Sequence, residues 1–148
     1  TDGFVAPEFP KTDNLRQIQR PEGVRGWRYY VDDRSIVTSR DGVVYYTIVI
    51  RSSTNVNNVW HEGLDCHGRL GRTLAVGTAK GTFHSLSGTK WRRFATSGPT
   101  AYRYVLFDRY LCAESSAAFQ PDEVVARLND PSRTDDRAGA PSDAGNND

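Results

Sequence analysis

The longest apolar run in the chain predicts a strand that is buried on both faces. Residues 43–50 (VVYYTIVI) are β-branched or aromatic without interruption. Successive side chains of a strand point to opposite faces, so the even-numbered and odd-numbered residues of this run form two separate sets. Because both sets are largely apolar, we expect a central strand that is covered on both sides.

Shorter segments of similar composition follow one another without intervening helices. We assign strands to residues 27–31, 35–38, 59–66, 72–77 and 82–86. Asp41-Gly42, directly before the central strand, is a strong hairpin signal because glycine accepts positive φ. Strands at this spacing predict an antiparallel meander.

Two segments near the C-terminus have a helical pattern. Tyr102, Leu106 and Tyr110 recur at four-residue spacing within residues 99–112, which favours a short amphipathic helix, with an aromatic strand as the alternative. Pro121 suits a first helical position and begins a clearer helix that ends near Asn129. The predicted fold class is α+β: a small antiparallel β-meander sheet with one or two short C-terminal helices.

The two ends of the chain differ from the middle. Residues 1–26 contain three spaced prolines, which favour an extended arm, and residues 130–148 are a polar, low-complexity tail. We therefore place the folded domain at residues 27–129. The arm is interpreted as a segment that contacts a partner protein through apolar anchors: Phe4, Phe9, Leu15 and Ile18.

The sequence also predicts export. The 148 residues include no methionine, so we expect that Thr1 follows a cleaved signal peptide and that the mature protein is periplasmic or extracellular. No apolar run reaches the roughly 18 residues that span a bilayer. In an oxidising compartment Cys66 and Cys112 are expected to form a disulfide, with two buried free thiols as the alternative. The closed loop of about 46 residues would contribute roughly 4 kcal/mol to stability.

Positive charge is concentrated in one segment although the net charge is only +1. Residues 67–109 hold eight basic residues and one aspartate, whereas residues 130–148 hold five aspartates and two arginines. The basic segment also contains aromatic residues, and we define a candidate basic and aromatic binding face by Lys80, Lys90, Trp91, Arg92, Arg93 and Arg103. For an exported protein, anionic lipid, a cell-wall polymer or an acidic protein face suits it better than nucleic acid. The alternative is that the rings pack inside and the cations face water.

A second candidate site surrounds Glu62. The cluster His61, Glu62, Cys66 and His67 does not have the HExxH spacing of a zinc site, and we predict no metal. On a strand, His61, Asp65 and His67 share one face while Glu62 and Cys66 share the other, covered face. A buried carboxylate needs a partner, either an arginine of the basic segment or backbone N–H groups. We expect a buried polar group with a structural role, and a catalytic acid or base is the alternative.

The familiar catalytic motifs are missing from the sequence. There is no G-x-S-x-G elbow and no CxxC pair. The GRLGR segment lacks the spacing of a phosphate-binding loop. No cofactor is predicted.

Several short motifs occur in an order that resembles the CNP1-like family, a group of exported proteobacterial proteins. They are YYVDDRSI, DGVVYYTIVIRS, NVWHEGLDC and YLC, within residues 28–128. The chain departs from the family pattern at Tyr45, Asp65 and Leu74, on the sheet surface. The resemblance implies envelope localisation and paired cysteines, but it implies no activity.

We therefore predict a non-enzymatic structural or interaction subunit of a bacterial envelope or extracellular assembly, whose partners are other protein subunits. Two alternatives remain: a cell-wall hydrolase that uses Glu62, and a carrier of a small ligand or a metal.

Overall fold

The structure, a computed structural model, describes residues 7–135 of the chain. Within this range eight strands form one antiparallel sheet. They are β1 Leu15–Gln17, β2 Trp27–Asp32, β3 Val37–Thr38, β4 Val43–Ser52, β5 Asn57–Asp65, β6 Leu70–Gly77, β7 Phe83–Ser85 and β8 Arg92–Arg93. The order is β1-β2-β4-β5-β6-β7, with β3 paired to β4 and β8 paired to β6. The predicted antiparallel meander is confirmed.

The hairpin of β4 and β5 is the centre of the sheet. Its register runs from the pair Val43–Asp65 to the pair Arg51–Asn57. The predicted turn before β4 is present, with Gly42 at a φ of 89°. Residues of β4 are buried on both faces, as the unbroken apolar run predicts.

Helical segments cover the first face of the sheet, which carries the even-numbered residues of β4 and β5. A 3-10 turn over Pro99–Ala101 leads into α1 (Tyr102–Val105), which continues as a π-helix over Leu106–Leu111. The wider π turn allows neighbouring side chains to face the sheet together, because it adds one residue to the turn. Its buried residues are Leu106, Phe107, Tyr110 and Leu111. The helix predicted for this region is therefore confirmed over the strand alternative, and α2 (Pro121–Asn129) lies close to its predicted bounds.

A disulfide joins the sheet to this helical layer. Cys66 follows β5 and Cys112 follows the π-helix, with their Cα atoms 5.7 Å apart. Both residues are fully buried in the main core. The predicted pairing is confirmed.

The second face of the sheet is covered by single side chains. The Phe9 and Phe83 rings are 5.2 Å apart, and the His61 and Phe83 rings are 6.0 Å apart. Phe9 precedes β1 at one edge of the sheet and Phe83 lies in β7 at the opposite edge, so the segment before β1 reaches across this face to β7.

The predicted boundary at residue 27 requires correction. Leu15 begins strand β1, which pairs with β2, and Ile18 is buried in the core with its N–H bonded to the Tyr29 carbonyl at 2.9 Å. An extended, proline-flanked segment can pair with a strand as readily as it can extend into solvent. Here the unpaired edge of β2 is available to it. Phe9, Leu15 and Ile18 therefore make contacts inside the domain, while Phe4 lies outside the described residues. The tail begins with a further turn, Pro131–Asp135, and the structure describes nothing beyond it.

Candidate functional site

A β-bulge between β5 and β6 determines which residue of β6 lies beside Glu62. β5 and β6 pair His61 with Ala75 and Glu62 with Thr73, so that Leu74 is the extra residue of the bulge. The shifted register sets a threonine hydroxyl beside the carboxylate, where a regular ladder would set a leucine.

Glu62 accepts five hydrogen bonds although only 1% of its side chain is exposed. Oε1 accepts from the Tyr46 hydroxyl at 2.8 Å and from Arg103 Nε at 3.2 Å. Oε2 accepts from the Tyr102 hydroxyl at 2.8 Å, from Thr73 Oγ1 at 3.1 Å and from Arg103 Nη2 at 2.8 Å. The expected arginine partner from the basic segment is thus Arg103, which binds the carboxylate through two nitrogens.

Arg103 reaches Glu62 by crossing Gly71 of β6. A Cβ atom at position 71 would lie 2.8 Å from Arg103 Cδ and 3.1 Å from both Nε and Nη1. Since side chains do not pack at such distances, the absence of a side chain at Gly71 is what opens the path. The second glycine of GRLGR therefore makes room for the Arg103 side chain, and does not form part of a phosphate-binding loop.

The electrostatics keep the donor groups of Tyr46, Tyr102 and Arg103 protonated. Burial, reinforced by the neighbouring Glu62 carboxylate, holds the pKa of Tyr46 and that of Tyr102 well above their usual value. Burial by itself would lower the pKa of Arg103, but the charge and hydrogen bonds of Glu62 outweigh it and the pKa is raised. The two phenols and the guanidinium therefore remain donors at neutral pH.

His61 lies on the second face, as its strand position predicts. Its Nδ1 is 2.9 Å from Thr47 Oγ1, and burial lowers the pKa of its imidazole to about 4. His67 is exposed in the turn after β5, so the two imidazoles are not brought together. No group of three or more histidine, cysteine or acidic residues in the described range 7–135 could hold a metal ion.

The buried imidazole predicts a specific loss of stability in acid. Its pKa is about 4 when folded against 6.5 when unfolded, so the unfolded chain binds more protons as the pH falls below 6.5. Between pH 7.5 and 4.5 this should remove roughly 2–3 kcal/mol from the free energy of unfolding. Urea denaturation at both pH values should show that His61→Gln loses roughly that much less than the wild type. Equal losses in the two proteins would contradict the assignment.

The predicted basic and aromatic face is assembled only in part. Lys90, Arg92 and Arg103 line one surface pocket together with Arg72, and Arg93 lines the neighbouring pocket. Lys80 lies apart, in the turn between β6 and β7. Trp91 packs on the second face, where a Cβ at Gly63 would come within 3.3 Å of its ring.

The first of these pockets occupies a gap in the pairing of β6. β7 pairs with the end of β6 near Ala75, and β8 pairs with its start near Gly71. Between them the Thr73 carbonyl accepts from Thr89 Oγ1 at 2.7 Å, and Arg72 Nε donates to the same hydroxyl at 3.1 Å. Thr89, in the loop between β7 and β8, thus satisfies a β6 carbonyl that a neighbouring strand would otherwise bind. The same hydroxyl holds Arg72 beside the gap.

Four residues of the Glu62 cluster were not identified from the sequence: Tyr46, Gly71, Thr73 and Tyr102. The hairpin register could have indicated Tyr46, which pairs directly with Glu62. Tyr102 is part of the four-residue helical spacing, but that spacing does not indicate a contact with Glu62. Thr73 depends on the bulge, for which the sequence holds no signal.

Together, the fold and the site define a disulfide-bonded α+β domain that is built around a buried, arginine-paired carboxylate. The chain belongs to the CNP1-like family, whose model matches residues 3–129. The match includes most of the predicted arm, in agreement with the pairing of its residues Leu15–Gln17 with β2. No curated protein and no solved structure shows a significant match. Among residues 7–135 no helix has the length and apolar character needed to cross a membrane.

Proposed function

We propose that the protein is a non-enzymatic interaction subunit of a bacterial envelope or extracellular protein assembly. The disulfide supports an oxidising compartment, because such bonds persist in exported proteins and are rare in the cytosol. Periplasmic or extracellular localisation after removal of a signal peptide is part of this proposal.

The observation that carries the proposal is a group of cations with no acidic partner. Arg72, Lys90 and Arg92 line the pocket at the gap in β6, and Arg93 lines the neighbouring pocket. None of these four residues forms an ion pair with another residue in the described part of the chain. Unpaired cations that share one surface create a positive potential, which attracts acidic partners and steers their association. This surface is therefore suited to an acidic component of an assembly.

The geometry of Glu62 does not favour the hydrolase alternative. A general acid or base must reach a substrate proton, but here both carboxylate oxygens are occupied by donors from the protein itself. Glu62 also lacks a second carboxylate within its hydrogen-bonded cluster. The cluster is better suited to holding α1 against β5 and β6.

Affinity purification of the full chain from its native envelope tests the proposal. We expect defined partner proteins that dissociate as salt is raised, because exposed charges are screened. Charge reversal by Arg92→Glu with Arg93→Glu should abolish their recovery. The matched control, Arg25→Glu with Arg40→Glu, changes two exposed arginines elsewhere and should retain them.

Recovery that is unaffected by the Arg92 and Arg93 reversal would contradict the proposed surface. Turnover of cell-wall material tests the enzymatic alternative directly. If the wild type shows such turnover and a folded Glu62→Gln variant loses it, the non-enzymatic assignment is wrong.

A further inference from the structure

The geometry points to the gap in β6 as a binding pocket for a phosphate group carried by a small organic molecule. The pocket has a volume of about 310 Å³. Its lining contains four cationic side chains, from Arg72, Lys90, Arg92 and Arg103, with Thr73, Gly88 and Thr89 between them. The inference goes beyond the proposed function, because it uses the same cationic surface but assigns to it a small organic phosphate and not a protein.

Donors remain available around this pocket. Arg72 uses Nε to bind Thr89, and its two terminal nitrogens donate to no other described residue. Lys90 and Arg92 likewise form no hydrogen bond through their side chains within residues 7–135, and both are exposed. Guanidinium groups bind tetrahedral oxyanions through paired N–H donors, so unoccupied arginine nitrogens suit a phosphate.

Two of the cations are fixed in place before a ligand arrives. Arg103 is held by Glu62, and the guanidinium of Arg72 is held by Thr89, which is itself bonded to the Thr73 carbonyl. A side chain that is already ordered loses less conformational entropy on binding. The pocket is therefore partly preorganised, unlike a surface of freely rotating lysines and arginines.

The charge of the pocket favours phosphate over a single carboxylate. Four cations line it and Glu62 neutralises one of them, which leaves an excess of three positive charges. A phosphomonoester carries about −1.5 to −2 at neutral pH and offers three acceptor oxygens. A carboxylate carries one charge and two oxygens, and would leave more of the donors unused.

A neighbouring pocket suits the organic part of such a ligand. It also measures about 310 Å³ and shares Thr73, Arg92 and Arg103 with the phosphate pocket. Its wall includes the half-buried ring of Trp60 and the ring of Tyr102. The Tyr102 hydroxyl is already bonded to Glu62, but the Trp60 ring offers an apolar surface together with its indole N–H, and this combination suits a sugar or a similar polar ring.

Isothermal titration calorimetry on the full chain at low salt tests the inference with three probes: inorganic phosphate, glucose 6-phosphate and glucose. We expect saturable binding of both phosphates and none of glucose. Arg72→Ala with Arg92→Ala should weaken both by at least about tenfold, since charge-assisted hydrogen bonds are lost. Arg25→Ala with Arg40→Ala, the matched control, should leave both affinities unchanged.

The contribution of the second pocket is measured separately. Trp60→Ala should reduce the preference for glucose 6-phosphate over inorganic phosphate, and leave the affinity for inorganic phosphate within about twofold of the wild type. If the double arginine variant does not fold, Arg92→Ala alone provides the comparison, because Arg92 is exposed in a two-residue strand.

Absence of saturable phosphate binding by a folded wild type would overturn the inference, as would equal affinity in the arginine variant. This failure is distinguishable from that of the proposed function. Partner proteins that still depend on Arg92 and Arg93 would uphold the interaction role without phosphate. Phosphate binding with no such partners would instead indicate a small-ligand carrier.

Discussion

Arg103→Ala should lower the free energy of unfolding by about 3–5 kcal/mol, because it removes the one cation among residues 7–135 that binds the buried Glu62 carboxylate. Only 1% of the Glu62 side chain is exposed, so its charge depends on partners within the protein. The remaining donors, Tyr46, Tyr102 and Thr73, are neutral and cannot compensate the charge. Urea denaturation at pH 7 measures the loss.

Two further variants make this test specific. Arg103→Lys keeps the charge but not the bidentate contact. Its free energy of unfolding should lie between those of the wild type and the alanine variant. Arg40→Ala, which removes an exposed arginine, should change the free energy of unfolding by no more than about 0.5 kcal/mol. A loss below about 1 kcal/mol in Arg103→Ala would show that the pair is not what holds the carboxylate in place.

Loss of the disulfide is expected to lower the free energy of unfolding by about 4 kcal/mol, since the unfolded chain then regains the freedom of an open 46-residue loop. The double variant Cys66→Ala with Cys112→Ala isolates this effect, because alanine leaves no thiol to re-form the bond. Guanidinium denaturation of this variant and of the oxidised wild type gives the difference.

Reduction of the wild type provides the comparison for the disulfide. The reduced protein should unfold at nearly the same denaturant concentration as the alanine variant, apart from the small cavity left by the missing sulfur atoms. Labelling of the untreated, denatured wild type should find no free thiol. Equal stability of the oxidised and reduced proteins would contradict the expected role of the bond.

The main parts of the fold could be predicted because their signals are local. The unbroken apolar run of β4, the Asp41-Gly42 turn and the proline at the start of α2 each specify an element within a few residues. Strand β1 was missed for the opposite reason. Three residues are too short to show alternation, and the nearby prolines favour an extended arm whether or not it pairs with β2.

The candidate site could be predicted in kind but not in detail. Alternation along β5 places Glu62 inside, and the cost of an unpaired buried charge requires a partner such as an arginine. The identity of that arginine depends on how α1 packs against the sheet, which no local pattern encodes. The predicted binding face was also too broad, because Trp91, which directly precedes β8, packs beside Gly63 on the second face, whereas Arg92 lines a pocket with Arg103.

Two of the links described above join the same two parts of the chain. Glu62 to Arg103 spans 41 residues, Cys66 to Cys112 spans 46, and both connect β5 to the helix that begins at Tyr102. Closing this long loop lowers the entropy of the chain. Once the first link has formed, the second link causes little further loss of chain entropy. The disulfide therefore raises the effective concentration of Arg103 at Glu62, because it already holds the two segments that carry these residues close together. The two links are expected to act non-additively, with the ion pair weaker in the reduced protein than in the oxidised one.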